Sequence, residues 1–495
     1  MLKATLTLHP DLRVGEVPPR LFGSFVEHMG RCLYTGIYEP GHPTADEDGF
    51  RADVMALTRE LGVTTVRYPG GNFVSGYRWE DGVGPVEERP TRLDLAWHSV
   101  ESNEVGLNEF VRWAAKAGVE PMMAVNLGTR GVRDAVRLLE YANHPGGTEL
   151  SDLRRRHGVD KPHEVRMWCL GNEMDGPWQI GHKTAGEYGR LAAETARAMR
   201  MLDPSLELVV CGSSSASMPT FGDWESEVLD LTIDLVDHIS LHAYYEPFDG
   251  DVDSFLASGA AMDRFIEDVV AIADSVAARR GIRKSINLSF DEWNVWKQAD
   301  RRAPGPPADW VAAPAISEEQ YDVTDAVVVG GLLISLLRHC DRVSAACLSL
   351  LTNVSAPIRT LPGGPAWRQT TFHPFALTAA HARGEVLRTQ VDASVLDTAR
   401  HGEVPVIDAV ATRAADEVAL FVVNRHRTEP VEICAGVDAA GVVDARSVYD
   451  EDPSAANTAD LPDRVVPRRL DSAVVDHGTL RVVVPPESFS IVRLR

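Results

Sequence analysis

Trp168-Cys169-Leu170-Gly171-Asn172-Glu173 is the stretch whose reading decides the fold. Residues 165–170 form an apolar run of strand length, and the run stops in a turn residue, an amide and a carboxylate. A buried strand that ends this way delivers polar groups to a rim. A second stretch, residues 286–293 (I-N-L-S-F-D-E-W), has the same form and carries Glu292 near its end. Two carboxylates at the C-terminal tips of separate strands suit glycosidic-bond cleavage. One gives a proton to the leaving oxygen, and the other attacks the anomeric carbon or activates water.

Working outward, further strand-like runs fall at 21–26, 64–68, 121–126, 206–211, 238–242 and 345–350. Helical patterns separate them at 49–62, 107–117, 131–141, 184–201, 253–280 and 318–339. In the first of these, Phe50, Val54, Leu57 and Leu61 make one apolar stripe, and Gly62 is a plausible stop. Eight strands alternating with helices predict an α/β fold, a (β/α)8 TIM barrel. The rival is a doubly wound sheet, and the G-x-G-x-x-G turn of its dinucleotide-binding form is absent. Beyond about residue 380 the pattern changes to short strands separated by Pro, Gly and Asp, as in a C-terminal all-β sandwich. The alternating strand at 3–8 has no partner of its own before the barrel begins. The expected division is 1–17 as a strand joining the C-terminal β domain, 18–378 as the catalytic barrel, and 379–495 as the β-sandwich domain.

The formal net charge of −23 argues against a nucleic-acid or anionic-membrane partner and suits a neutral ligand. None of the six cysteines forms a C-x-x-C pair, and Cys169, Cys211 and Cys347 lie in apolar runs, so all six are expected to be reduced. The opening residues lack a secretory h-region and no stretch of about 18 apolar residues occurs, so the expected location is the cytoplasm.

In a barrel, the residues at strand C-termini face the active site. Here they are Glu27, Asn72, Asn126, Asn172, Glu173, His242, Tyr244, Glu292 and Asn353, a set dense in the amides and carboxylates that sugar hydroxyls require. Trp97, Trp178, Trp293 and Trp296 are candidate aromatic walls around the site. Blander readings stand beside these. Glu27 could pair with Arg67, Asn72 could cap the Gly-Gly turn, and Trp178 and Trp296 could be core. His242 has no H-x-H or H-E-x-x-H companion, so it is expected to hydrogen-bond a catalytic carboxylate, and no metal or cofactor is expected. The Pro- and Ala-rich segment 299–317 reads as a functional loop, with Trp310 as a lid, or as disorder.

The motifs F-G-S-F-V-E-H (22–28), R-Y-P-G-G-N-F (67–73), W-C-L-G-N-E-M-D-G-P-W-Q (168–179), S-L-H-A-Y-Y (240–245), D-E-W-N-V-W (291–296) and R-Q-T-T-F-H-P-F (368–375) resemble glycoside hydrolase family 51, the α-L-arabinofuranosidases. The resemblance implies an exo-acting retaining enzyme that releases terminal arabinofuranose from arabinan or arabinoxylan oligosaccharides. It implies Glu173 as acid/base and Glu292 as nucleophile, with Glu27, Asn72, Asn172, Tyr244 and Gln369 binding the furanose. It further implies that Asn172 contacts the 2-hydroxyl, that Tyr244 holds Glu292, and that the protein is a homo-oligomer, a hexamer. His373 stands where many members carry Tyr. The alternatives on the same scaffold are a β-D-galactofuranosidase, an endoglucanase or a β-xylosidase.

Overall fold

The structure, a computed structural model, describes residues 1–298 and 308–495. After β1 (Leu2–Glu16), eight parallel strands close into a barrel. They are β2 (Arg20–Phe25), β3 (Thr65–Tyr68), β4 (Glu120–Ala124), β5 (Met167–Leu170), β6 (Glu207–Val210), β7 (His238–Tyr245), β8 (Asn287–Val295) and β9 (Val343–Leu348), and β9 bonds back to β2. Both faces of these strands are covered, which is why they read as unbroken apolar runs and not as alternations.

Ten helices are described: α1 (Ala52–Leu61), α2 (Leu107–Ala117), α3 (Val132–Asn143), α4 (Glu149–Arg156), α5 (Ala185–Leu202), α6 (Asp223–Thr232), α7 (Val252–Leu256), α8 (Ser258–Arg280), α9 (Val323–Arg338) and α10 (Phe372–His381). Helix α1 buries Val54, Leu57 and Leu61 and stops at Gly62, whose φ of 82° few side-chain-bearing residues adopt. The helical region expected over 253–280 is two helices, broken at Ala257. Helix α9 is buried almost all round, because it lies between the barrel and the C-terminal sheet. At Gly330 the approach is so close that a Cβ would meet the Phe489 ring at 2.4 Å.

The C-terminal strands are β10 (Glu385–Ala393), β11 (Ile407–Ala414), β12 (Glu417–Asn424), β13 (Val431–Gly436), β14 (Val442–Val448), β15 (Arg468–Arg469), β16 (Val474–Asp476), β17 (Thr479–Val484) and β18 (Ser488–Leu494). The expected sandwich is built from one continuous ten-stranded sheet, in the order β15-β14-β18-β12-β11-β10-β1-β13-β17-β16. The physical reason is β1, which bonds along both edges, antiparallel to β10 and parallel to β13, and so joins two wings into one. Leu6, Leu420, Ile433, Val482 and Val492, drawn from both wings, share a core separate from that of the barrel.

Candidate active site

The C-terminal ends of the barrel strands surround a cavity of about 580 Å³. Glu27, Asn72, Trp97, Glu173, Trp178, Tyr244, Glu292 and Trp296 line it, and so do Met29, Ser214, Ser349 and Leu350, which the motif reading passes over. A larger cleft of about 1060 Å³ opens in the C-terminal sheet, but the residues that line it come from that sheet and from β1, and its Glu385 is paired to Arg13 and Arg413.

Glu292 is delivered by an irregularity in β8. Ser289 lies opposite Ser240 of β7, yet Glu292 lies opposite His242, so β8 holds one residue more than its neighbour. Successive side chains of a regular strand point to opposite faces; the extra residue lets Asp291 and Glu292 both reach inward. Glu292 Oε1 accepts from Arg67 Nη1 at 2.8 Å, and Oε2 accepts from the Tyr244 hydroxyl at 2.7 Å. Burial raises its pKa; Glu173 adds to the rise, His242 and Arg67 oppose it, and the net direction is upward.

Glu173 follows the turn that ends β5, with its own φ at +44°. Holding a non-glycine residue there costs about 1–3 kcal/mol, and such outliers gather at functional sites. Its Oε1 lies 3.0 Å from His242 Nδ1, and its Oε2 accepts from Trp178 Nε1 at 2.8 Å. His242 and Tyr244, two apart on β7, share the inner face. His242 Nε2 lies 2.9 Å from Asp291 Oδ1. Burial resists a charge on this ring, but Glu292, Asp291 and Glu173 outweigh it and lift its pKa to about 10. The ring then donates from both nitrogens. The nearest donor and acceptor atoms of Glu173, His242 and Glu292 lie within 4.8 Å of one another, near enough for one cation, but Arg67, Tyr244 and Trp178 already donate to the carboxylates.

Arg67 reaches across the mouth. Besides Glu292 it donates from Nη2 to Asn172 Oδ1 at 2.5 Å, which leaves Asn172 Nδ2 as a buried donor without a protein partner among the described residues. It does not pair with Glu27. Glu27 Oε1 instead accepts from the Phe73 amide at 2.9 Å and from Trp97 Nε1 at 2.7 Å. Burial pushes its carboxyl well above the usual range. A Cβ at Gly71 would lie 2.1 Å from Glu27 Oε2, so the Gly-Gly turn is what lets this carboxyl stand at the cavity edge. Trp178 is 52% exposed, a cavity wall and not core. Trp296 meets Tyr244 edge-on at 4.9 Å. Trp293 is core, stacked on Phe375.

Some expected residues are not brought to the cavity. Gln369 is fully buried, and its amide is spent on the chain: Nε2 donates to the Glu319 and Ala356 carbonyls and Oε1 accepts from the Tyr321 amide. The segment R-Q-T-T leads into α10 and packs behind the mouth, which is why a motif match there did not mark a cavity position. His373 is buried in α10, and burial lowers its pKa to about 4. His242 is buried outside the cavity lining, and so is Asn172, although its Nδ2 keeps a donor with no protein partner among the described residues. Asn126 and Asn353 tie their loops to neighbouring ones: each side-chain oxygen accepts from a nearby amide, of Gly128 and Thr360, and each Nδ2 donates to a distant carbonyl, of Tyr77 and Arg31. Of the segment 299–317, residues 299–307 lie outside the described residues. Trp310 stacks on His98 with ring centroids 3.8 Å apart, and Val311–Ala312 pairs with the strand Ser99–Glu101, beside the turn that carries Trp97.

Comparison with known proteins agrees with this geometry. Models of the alpha-L-arabinofuranosidase 1 domain and of the alpha-L-arabinofuranosidase C-terminal domain match residues 57–258 and 291–488. An intracellular exo-alpha-(1->5)-L-arabinofuranosidase from Streptomyces lividans is 60% identical over all of this chain and 75% of its own length. An exo-alpha-(1->6)-L-arabinofuranosidase from Bifidobacterium longum is 53% identical, with 100% and 97% covered. The solved structure of a family 51 alpha-L-arabinofuranosidase from Bifidobacterium longum superposes over 100% of both chains with a TM-score of 0.96 at 46% identity. The chain therefore belongs to glycoside hydrolase family 51, the α-L-arabinofuranosidases.

Proposed function

We propose that the protein is an exo-acting, retaining α-L-arabinofuranosidase in which Glu292 is the nucleophile and Glu173 the acid/base. The observation that carries the assignment is the approach of their carboxyl oxygens to within 4.8 Å around His242. Retaining sites hold their two carboxyls about 5–5.5 Å apart, too close for an intervening water. Glu292 receives a guanidinium and a phenol, donors that favour an anion ready to attack C1. Glu173, with Trp178 against one oxygen, faces the side from which a leaving group departs. Its proton passes to the glycosidic oxygen, and a water later returns a proton to it while opening the glycosyl ester on Glu292.

Glu27, Asn72, Asn172 and Trp97 bind the furanose in this reading, and Tyr244 and His242 hold the two carboxyls. Trp178 and Trp296 wall the space beyond the scissile bond. Residues 18–378 form the catalytic unit, with 1–17 and 379–495 as its β companion. The substrates are arabinofuranose-containing oligosaccharides; the linkage differs between the two relatives' names, and a linkage panel decides it here. An intracellular location follows the Streptomyces relative's name, and among the described residues no helix is long and apolar enough to cross a membrane. The protein is proposed to be a hexamer, which light scattering tests.

Turnover of an aryl α-L-arabinofuranoside, followed by NMR of the first-formed anomer, tests the mechanism. Retained configuration and loss of activity in Glu292→Ala are expected. An inverted first product, or a Glu292→Ala variant as fast as wild type, would sink it.

A further inference from the structure

Asp291 has no role in the reaction as read above, yet it is among the most enclosed carboxylates at the mouth, 1% exposed. It faces inward because of the extra residue in β8. Its Oδ1 lies 2.9 Å from His242 Nε2. Its Oδ2 lies 3.8 Å from Arg67 Nε and accepts from Ser289 Oγ at 3.3 Å and the Cys169 thiol at 3.6 Å. The other imidazole nitrogen, Nδ1, is 3.0 Å from Glu173 Oε1 and 3.6 Å from Glu292 Oε2. His242 thus stands among three carboxylates.

We propose that Asp291 is a positioning residue that keeps His242 an imidazolium through the whole cycle, so that Glu173 and Glu292 share one fixed cation. The proposal rests on the roles assigned to those two glutamates above. In the first step the Glu173 proton goes to the leaving oxygen, the C1–O bond breaks, and a Glu292 oxygen bonds to C1. Negative charge leaves Glu292 and appears on Glu173. In the second step Glu173 takes a proton from water, the water oxygen bonds to C1, and the bond from C1 to Glu292 breaks. The charge returns to Glu292, and His242 keeps both N–H protons throughout.

The physical gain is that the charge moves across a stationary cation. Whichever glutamate is ionised lies within 3.6 Å of the same N–H. A fixed, preoriented charge in a site closed to water stabilises a developing anion without reorganising as the reaction proceeds. A neutral ring would carry one N–H only, and one of its carboxylate neighbours would lose its donor. Asp291 prevents that, because an anion against Nε2 favours the charged ring. Burial works against ionisation of Asp291 itself, but Arg67 and His242 outweigh it and hold its pKa below the usual carboxylate range. Burial pushes the facing thiols of Cys169, Cys211 and Cys347 upward, so they stay neutral. Arg67 and His242 then balance Asp291 and whichever glutamate is ionised.

Imidazole ¹⁵N spectra of the wild-type protein test this, with the His242 signal assigned by its loss in His242→Gln. The expected result is an imidazolium shift that persists to about pH 8.5, roughly two units above an unperturbed histidine. A neutral His242 at pH 7 overturns the proposal. Asp291→Asn keeps an acceptor oxygen and removes the charge. It is expected to move the midpoint of the His242 imidazolium titration in the same spectra down by at least about one pH unit, with KM changed much less than kcat. A slow variant whose His242 titration superposes on that of wild type also overturns the proposal, since a purely structural defect lowers rate without moving that midpoint. If Asp291→Asn does not fold, the wild-type spectrum decides alone. The failure of the glutamate assignment is separate: an active Glu292→Ala would remove that assignment and leave the His242 spectrum as it is.

Discussion

The barrel has an ion cluster at each end, and the two differ in what surrounds them. At the base, Arg20, the first residue of β2, reaches Glu120 and Glu207, the first residues of β4 and β6. All its partners are carboxylates, the contacts lie at 2.6–3.2 Å, and the glutamates are about one-third exposed. Each of these three charges has an opposite charge against it. At the mouth, Arg67, Asp291, His242, Glu292 and Glu173 are nearly dry, and they hold an unmatched donor on Asn172 and a strained backbone at Glu173. The base staples three strands. The mouth stores unfavourable charge placement where a substrate can use it, as functional sites do.

Substitutions at the two ends break or sharpen that contrast. The largest effect is expected for Glu292→Ala, with kcat on an aryl arabinofuranoside reduced more than about 10⁴-fold. Added azide should restore turnover and yield the glycosyl azide of inverted configuration, detectable by NMR. Glu173→Ala should cost about 10²–10⁴-fold, less with a leaving group that needs no proton, so a plot of rate against leaving-group pKa steepens. Tyr244→Phe removes one donor to the Glu292 anion and should lower kcat about 10- to 100-fold. It also sharpens the pH argument. Burial already raises the Glu292 pKa, so wild-type kcat/KM should fall with acidification while still above the ordinary glutamate value. Losing a donor to the charged form moves that limb higher still, and a limb that stayed put or fell would contradict the charge assignment. The smallest effect belongs to Arg20→Met at the base. Partly exposed pairs of this kind are worth about 1 kcal/mol or less, so the melting temperature should drop by no more than about 2 °C with kcat unchanged. A loss of kcat there would erase the distinction between the two ends.

Much of the barrel was legible because its strands are buried on both faces. Runs such as 165–170 and 206–211 overlap the observed strands within two residues at each end. Helices were legible where a stripe faces the core, as along α1 and α2. The passage over 206–242 hid α6, whose short apolar stripe lies between two loops, and α10 was read as a motif instead of a helix. Strand β8 runs to Val295, past the end of the 286–293 stretch, because it continues straight through the polar pair Asp291-Glu292. The pleat makes neighbouring carboxylates look opposed, so Asp291 passed unnoticed beside Glu292 until the register showed the extra residue. Arg67 pairs with Glu292 and not with Glu27, a choice between two distant carboxylates that its strand-end position alone leaves open. Gln369 failed for a related reason: nothing local in R-Q-T-T tells an amide facing a sugar from one facing backbone carbonyls.

The place of β1 bears on how the molecule is made. It is the hydrogen-bonded link between the six strands on the β10 side of the sheet and the three on the β13 side. This segment is translated before the whole barrel, and its partners after it. The early segment must therefore wait, unpaired, until the barrel and the strands after it have been made, and contacts so distant in sequence close slowly. Until it docks, the tail strands remain two fragments with open edges, the state in which a chain of this kind is most exposed to mispairing with its neighbours on a polysome.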